Sequence, residues 1–200
     1  MYQFKGTSRA PLLIPGTRPN GDLVLRPYYA QIDQTGLDAQ AILGDWALKL
    51  EAISRGGQGK RYAAATGGFE RTLVGVFGTR ADLGLVVEYV WDQRDDEADT
   101  IYDHDAGFAT RWRLNDVADT QALIGLMWDV RNQQYFIKLE ASRRVGDDWS
   151  LALGGRYFGG TQAPPTEPPA AVLDAYFDFD HKLDQVARDD YIQLQLTRYF

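Results

Sequence analysis

Apolar and polar residues alternate along most of the chain from Gly36 to its C-terminus. A period of two places successive side chains on opposite faces of a β-strand, whereas the helical period fits these segments poorly. Turn-forming residues divide the pattern into nine predicted strands: 36–43, 46–55, 62–77, 83–93, 106–115, 120–130, 135–144, 149–159 and 190–200.

The connections between these strands alternate in length along the whole chain. Short turns are expected at 44–45, 79–82, 116–119 and 145–148. Longer or more polar connections are expected at 56–61, 94–105, 131–134 and 160–189. Outer-membrane barrels have short periplasmic turns and longer external loops. The pattern therefore predicts an all-β fold, an antiparallel transmembrane β-barrel with up-and-down meander topology, its C-terminus periplasmic.

The apolar face of the predicted strands sorts its residues by depth. Aliphatic side chains occupy the strand centres, with aromatic rings at both ends, as expected at two lipid interfaces. A soluble barrel or sandwich also alternates, but its core has no reason to sort aromatic residues in this way. The predicted girdles contain Trp46, Phe77, Trp112, Trp149 and Phe200 at the periplasmic level, and Tyr89, Trp91, Phe108, Trp128, Tyr135 and Tyr157 at the outer level.

The opposite face carries too much charge for a dry core, because unpaired buried charge is costly. With Asp38 and Arg55, this face has seven acids and seven bases, which either pair across a narrow lumen or line a water-filled pore. On the apolar face, Arg71 is an exception that we place near the middle of its strand. The predicted lumen-lining residues are Lys49, Glu51, Glu70, Glu88, Asp92, Arg111, Arg113, Asp129, Lys138, Glu140, Arg144 and Arg156.

The N-terminal region is the least regular part of the chain. Glycine, proline and asparagine mark residues 1–21 as an irregular segment, and we assign 22–200 to the barrel, with a long external loop at 160–189. A complete barrel needs an even number of strands, about ten in this chain. Residues 22–32 are the candidate for the tenth strand, although Pro27 weakens it. The alternative is a larger barrel with further strands upstream.

The chain ends in an alternating segment that closes on Phe200. This segment resembles the C-terminal signal read by the barrel-assembly machinery, although Arg198 stands where such signals usually place an aromatic residue. The resemblance assigns the signal to Tyr191, Leu194, Leu196, Tyr199 and Phe200.

Several further segments strengthen this likeness. Together with 67–70, 81–85 and 139–144, the terminal segment resembles the C-terminal half of uncharacterised proteobacterial outer-membrane barrel proteins of porin-like type, over about residues 28–200. This resemblance implies a fold and a location in the Gram-negative outer membrane, and no activity. The partners it implies are outer-membrane lipid, lipopolysaccharide and the assembly machinery.

Little in the sequence indicates catalysis or a cofactor. His104 and His181 lie in predicted loops without a serine partner suggested by spacing, and no Gly-x-Ser-x-Gly elbow is present. An acidic loop at 95–105 does not match an EF-hand, so a solvated loop is favoured over a calcium site. The chain has no cysteine, and its net charge of −7 disfavours nucleic acid as a partner. We expect no enzyme activity, cofactor or metal.

Two functions suit the predicted barrel. The first is a porin-like passive channel for small polar solutes, and the alternative is a structural or surface-interaction barrel whose lumen is closed by ion pairs. A membrane-embedded lipid enzyme is disfavoured. We also expect a short amphipathic helix at 170–187 within the last external loop, able to cover the mouth or fold inward.

Overall fold

The computed structural model of the protein describes residues 1–98, 100–168, 171 and 180–200. Extended backbone dominates the described chain, as the two-residue period predicts. Three short 3₁₀ helices at Val76–Gly78, Asp95–Glu97 and Lys182–Val186 lie between strands. The strands are β1 (Tyr2–Thr7), β2 (Leu12–Thr17), β3 (Leu23–Tyr28), β4 (Gln31–Leu43), β5 (Trp46–Gly56), β6 (Tyr62–Leu73), β7 (Asp82–Asp92), β8 (His104–Arg113), β9 (Gln121–Asp129), β10 (Tyr135–Val145), β11 (Trp149–Gly159) and β12 (Tyr191–Arg198).

Ten of these strands form one antiparallel sheet in the order β1-β4-β5-β6-β7-β8-β9-β10-β11-β12. From β4 onward each strand pairs with its neighbours in the chain, which confirms the predicted all-β antiparallel meander. The sheet is not closed, since the described edge strands β1 and β12 do not pair with each other.

The connections between strands fall into two groups, one at each end of the sheet. The short-turn end carries the connections 44–45, 74–81, 114–120 and 146–148, and the long-loop end carries 57–61, 93–103, 130–134 and 160–190. The tightest turn joins β4 to β5, where Gly44 adopts φ 61°. That left-handed conformation favours glycine, because a Cβ atom would clash with the backbone. The predicted alternation of short and long connections is present only in part, because 74–81 and 114–120 have eight and seven residues, more than the five residues of 57–61 and of 130–134.

Strand β6 is shorter than the predicted strand 62–77. It ends at Leu73, and Gly75 and Phe77 follow with φ values of 67° and 57°. Left-handed backbone cannot continue a strand, so the chain turns there into the Val76–Gly78 helix. The sequence pattern missed this because Gly75 and Phe77 still alternate as apolar residues would in a strand.

The N-terminal expectation was wrong in two respects. Residues 1–21 are not irregular, since β1 pairs with β4 in a register that sets Tyr2 opposite Gly36. The predicted strand at 22–32 is present as β3, but it pairs with β2 in a separate two-stranded sheet and adds nothing to the main sheet. Pro15 and Pro27 lack the N–H that an interior strand must donate, which suits this hairpin better than the centre of the sheet.

The predicted helix at 170–187 lies mostly outside the described residues. Within the described part of the last long connection, Lys182–Val186 forms a 3₁₀ helix. In addition, none of the described helices is of a length and hydropathy that could cross a membrane.

Candidate lumen face and outer cap

All twelve predicted lumen residues lie on one face of the main sheet, here called the polar face. Directly opposed residues of an antiparallel pair share a face. Lys49 opposes Gly68, which opposes Glu88, which in turn opposes Gly107 on β8. The same succession of partners continues through Met127 on β9 to β10 and β11. The structure thus brings Lys49, Glu51, Glu70, Glu88, Asp92, Arg111, Arg113, Asp129, Lys138, Glu140, Arg144 and Arg156 to the same side.

Two ion pairs join these residues on the open part of the polar face. Lys49 Nζ lies 3.2 Å from Glu70 Oε2 across β5 and β6, and Lys138 Nζ lies 2.7 Å from Glu140 Oε1 along β10. All four side chains are more than a third exposed, so water screens both pairs and each contributes little to stability. The polar face is therefore wet and only partly neutralised by its own ion pairs.

Like charges also oppose each other across neighbouring strands of the polar face. Asp38 opposes Glu51 on β4 and β5, Asp105 opposes Asp129 on β8 and β9, and Lys138 opposes Arg156 on β10 and β11. Like charges placed directly opposite destabilise a sheet. Stability alone does not account for these three pairs.

The polar face is concave over β8 to β12. A concavity of about 500 Å³ is lined there by Arg111 and Glu140 together with uncharged polar side chains such as Gln121, Ser142 and Gln193. A second concavity of about 350 Å³ lies over β1 and β4 to β7, and its charged lining residues are Asp38, Glu51 and Asp92. Both cavities are large enough to hold a small solute and its water.

At the long-loop end, the segment Lys182–Val186 packs against the connection 93–103 and Gln134. We call this arrangement the outer cap. Lys182 Nζ donates to Asp103 Oδ2 at 2.9 Å and to the carbonyl oxygens of Thr100 and Ala98 at 2.9 and 3.4 Å. The side chains of Lys182 and Asp103 are only 11% and 4% exposed. This buried pair fastens the last long connection to the end of the sheet.

Gln134 holds the same segment from the other side. Its Oε1 accepts the N–H of Leu183 at 3.0 Å, and its Nε2 donates to Asp184 Oδ1 at 2.6 Å. Gln134 is 1% exposed and Leu183 is also buried, so the cap excludes water where it meets the strand ends. Buried amide groups of this kind are costly to leave unpaired.

The acidic loop between β7 and β8 is bound by neighbouring bases. Arg94 pairs with Asp92 at 2.7 Å and stacks on the ring of Tyr62, and Arg131 lies 3.2 Å from Asp95. A hydrogen bond from His104 lowers the pKa of Asp95 below its ordinary value. Among the described residues, no group of His, Cys, Asp or Glu side chains is arranged to hold a metal ion. The choice between a solvated loop and a calcium site stays a prediction.

His104 lies at the start of β8 rather than in a loop. Its Nδ1 is 3.0 Å from Tyr89 Oη and its Nε2 is 2.8 Å from Asp95 Oδ1. These described contacts of the imidazole include no serine. They join β7, β8 and the acidic loop at the long-loop end, and we assign them a structural role.

The predicted assembly-signal residues lie on and just beyond β12. Leu194 and Leu196 point to the apolar face, opposite Leu153 and Leu151. Tyr191 points to the polar face opposite Arg156, so it does not belong to the same row of side chains. Tyr199 donates its N–H to the carbonyl of Asp148, and Phe200 is fully exposed.

The apolar-face neighbours of β12 explain its departure from the usual terminal signal. Arg198 lies over Trp149 and Phe200, with its Cζ atom 5.5 and 4.9 Å from the two ring centroids. Arg198 therefore contacts aromatic rings on the apolar face, at the short-turn end.

Sequence reasoning missed the outer cap. Lys182 and Gln134 lie in connections, where no periodic pattern marks a buried side chain, and their partners are distant in the chain. The available signal was an isolated lysine and a glutamine, and neither residue type indicates burial.

No protein-family model, no curated protein and no solved structure is similar to the chain at a significant level. The likeness of the terminal segments to proteobacterial outer-membrane barrels therefore stays a prediction.

Proposed function

We propose that the chain forms a transmembrane β-barrel of a Gram-negative outer membrane, with its short turns in the periplasm and its long loops outside. The observation that carries this proposal is the uncovered apolar face of the main sheet. One row of directly opposed apolar side chains crosses seven strands without interruption: Leu48, Phe69, Val87, Phe108, Leu126, Ile137 and Tyr157. Phe108 and Tyr157, in the middle and at one end of this row, are among the exposed large hydrophobic side chains.

An apolar surface that crosses seven strands is unusual on a water-exposed monomer. Contiguous apolar patches on monomeric proteins rarely exceed a few hundred Å². The buried apolar residues of the described chain are few and lie mainly at the strand ends, so no second layer covers the sheet. Lipid hydrocarbon is the solvent that suits this face.

Aromatic contacts at both ends of the apolar face support the same placement. Trp46 packs edge-on against Phe69 at 5.3 Å, and Phe77 stacks on Trp112 at 6.5 Å near the short-turn end. Tyr135 and Tyr157 lie 6.3 Å apart at the long-loop end. Amphipathic rings at both ends are expected where a barrel meets two lipid interfaces.

Closure of the sheet is part of this proposal. In hydrocarbon every backbone N–H and C=O group needs a partner, so an open sheet edge is not tolerated. β1 runs antiparallel to β4, and β12 runs parallel to β4 in space, so β12 and β1 have the antiparallel directions that closure requires. Ten strands also give the even number usual for bacterial barrels.

For the enclosed polar face we propose a passive channel for small polar solutes. Several of its charged residues, such as Glu51, Arg111 and Glu140, are exposed. Its two concavities lie on the enclosed side, and three like-charge pairs are held there at a cost to stability. A barrel built only for stability would replace these pairs by complementary or apolar residues.

The second candidate is a barrel with a closed, ion-paired lumen and a structural or surface-binding role. The Lys49–Glu70 and Lys138–Glu140 pairs and the outer cap favour it. The like-charge pairs count against it, because a sealed lumen would leave them without water.

The first experiment tests the membrane barrel. The purified chain should need detergent to stay dispersed, and a folded barrel should migrate differently on a gel before and after boiling. A monodisperse protein without detergent would refute the barrel. Outer-membrane lipid, lipopolysaccharide and the assembly machinery are the partners that this placement requires.

The second experiment separates the two functions in planar lipid bilayers. Arg111→Ala and Glu88→Ala should change conductance or ion selectivity with little loss of stability if the lumen is a channel. A sealed barrel should conduct nothing before mutation and should lose stability afterwards, because breaking a buried pair costs several kcal/mol. Absence of conductance from the wild-type protein would defeat the channel proposal.

A further inference from the structure

We infer that the channel favours zwitterionic solutes, small molecules that carry an ammonium group and a carboxylate, over uncharged solutes of the same size. This inference rests on the proposed channel. It is based on the separation of charge on the polar face, where an acidic pair and a basic pair are held on different parts of the sheet.

The acidic pair is Asp38 and Glu51, and the basic pair is Lys138 and Arg156. In the ten-strand order, the acidic pair occupies the second and third strands and the basic pair the eighth and ninth. In a closed barrel of ten strands these positions are almost diametrically opposed. Opposite sides of the lumen therefore carry opposite charge, as an acidic wall and a basic wall.

The remaining like-charge pair weakens this separation without cancelling it. Asp105 and Asp129 lie on the basic side of the barrel, at β8 and β9. Lys182 of the cap borders the same small cavity as both carboxylates, although it also pairs with Asp103, and Arg111 and Arg113 lie on the same face of β8. The positive charge of these bases offsets the charge of the two acids.

One cation of the basic wall, Arg156, has no ion-pair partner among the described residues. Its guanidinium lies beside the rings of Phe136 and Phe158, with its Cζ atom 5.7 and 5.9 Å from their centroids. Its Nε is buried and has no hydrogen-bond partner in the described part of the chain. Lys138 is shared with Glu140, so Arg156 is the cation better placed to receive a carboxylate.

The acidic wall is free to receive an ammonium group. Neither Asp38 nor Glu51 has an ion-pair partner among the described residues, and both border the 350 Å³ concavity. Between the walls, glycine takes the place of side chains at positions that face the lumen. These are Gly68, Gly84, Gly107, Gly125 and Gly154.

A zwitterion crossing this lumen can present its ammonium group to Asp38 and Glu51 while its carboxylate faces Arg156. Both ends then exchange water for a charged partner, whereas an uncharged solute gains neither interaction. A simple cation or anion is attracted by one wall and repelled by the other. The arrangement thus discriminates by the charge pattern of the solute rather than by its net charge.

The test compares two isomers, zwitterionic alanine and uncharged lactamide, in swelling assays on liposomes that contain the full chain. We expect alanine to enter several-fold faster than lactamide after subtraction of the rate in protein-free liposomes. Asp38→Asn with Glu51→Gln should bring the ratio of the two rates close to parity. Lys138→Gln with Arg156→Gln should do the same from the other wall.

The matched control removes Lys49 and Glu70 together, as Lys49→Gln with Glu70→Gln. This double variant deletes one acid and one base that already neutralise each other, so the ratio should stay at the wild-type value. The wall variants relieve repulsion between opposed charges, and the Lys138 variant loses only a water-screened ion pair with Glu140. Both should therefore fold about as well as the wild type, which gel mobility before and after boiling checks.

The outcomes separate the two proposals. If neither solute enters faster than into protein-free liposomes, the channel itself is refuted. If both isomers enter at the same rate through the wild-type protein, the channel stands and the preference for zwitterions is wrong. If the ratio of the alanine and lactamide entry rates stays at the wild-type value in both wall variants, the inference is also overturned.

Discussion

Arg71 on the apolar face reaches the carboxylate of Asp45 in the neighbouring turn, with 3.2 Å between Nη2 and Oδ2. Its guanidinium also lies 5.1 Å from the ring centroid of Trp46. The sequence placed this arginine near the middle of its strand, where a charge facing lipid is costly. Because β6 ends at Leu73, Arg71 instead lies close to the short-turn end, where a long side chain can reach the interface.

Arg71→Met should change the free energy of unfolding by less than about 1 kcal/mol, since water screens the pair with Asp45, whose side chains are 34% (Arg71) and 71% (Asp45) exposed. The contrast is Val87→Arg, which places a charge in the middle of β7 on the same face and should cost about 2–4 kcal/mol. Denaturant unfolding in lipid vesicles measures both. A gain of about 2–4 kcal/mol in Arg71→Met would instead show that Arg71 lies in hydrocarbon.

Lys182→Met should release the last long connection from the end of the sheet. The substitution leaves Asp103 buried without its cation, and we expect the local opening free energy to fall by about 2 kcal/mol, less than for a fully buried pair. Hydrogen exchange at residues 182–186 measures this change. If the protein is a channel, the Lys182→Met variant should also show a higher conductance. Lys60→Met, at an exposed position in another long connection, is the control and should change neither quantity.

Phe200→Asp should lower the amount of protein assembled in the outer membrane several-fold without changing the properties of the fraction that assembles. Phe200 is fully exposed and contacts Arg198 from one side, so its apolar ring is available for recognition during assembly. Quantifying the heat-modifiable band in membrane fractions tests this. Phe77→Asp, at an exposed aromatic residue of a short turn, is the control. An equal loss in both variants would indicate a general need for interfacial aromatic rings.

The turn between β8 and β9 should loosen in acid. Asp116 accepts hydrogen bonds from Thr120 N–H at 2.7 Å and from its hydroxyl at 2.8 Å, and the backbone bond is the main cause of a pKa lowered from 3.8. A lowered pKa means that the turn is stabilised above pH 3.8 and loses this contribution as the pH falls through the lowered value. The Thr120 amide resonance should therefore titrate with a midpoint below 3.8. A midpoint at or above that value would contradict the bond.

Much of the sheet could be predicted because a two-residue period acts locally. The nine strands β4 to β12 overlap the nine predicted segments, and the face assigned to Lys49, Arg111 or Glu140 needs only parity within one strand. The failures occur where local pattern is not decisive. Nothing near Tyr2 indicates that it pairs with Gly36. The alternation at Gly75 and Phe77 hides a backbone conformation that ends the strand.

The candidate site was also predictable only in part. Its charged residues were recognisable because an unpaired charge on a regular strand must face away from lipid. Their pairings were not, since which bases neutralise which acids depends on strand order and register. The outer cap could not be predicted, because Lys182 and Asp103 come from separate irregular segments and no sequence periodicity links them.

The two outermost strands of the sheet have a consequence for the order of folding. From β4 to β11 every pairing joins neighbours through a short or moderate connection, so these hairpins close small loops and have a low contact order. β1 reaches β4 only across the β2–β3 hairpin, and β12 reaches β11 only after residues 160–190. Closing a longer loop costs more chain entropy and is slower. The eight-stranded middle should therefore form first and the two edge strands last, and in the proposed barrel this order would keep the seam open until the rest of the wall is built.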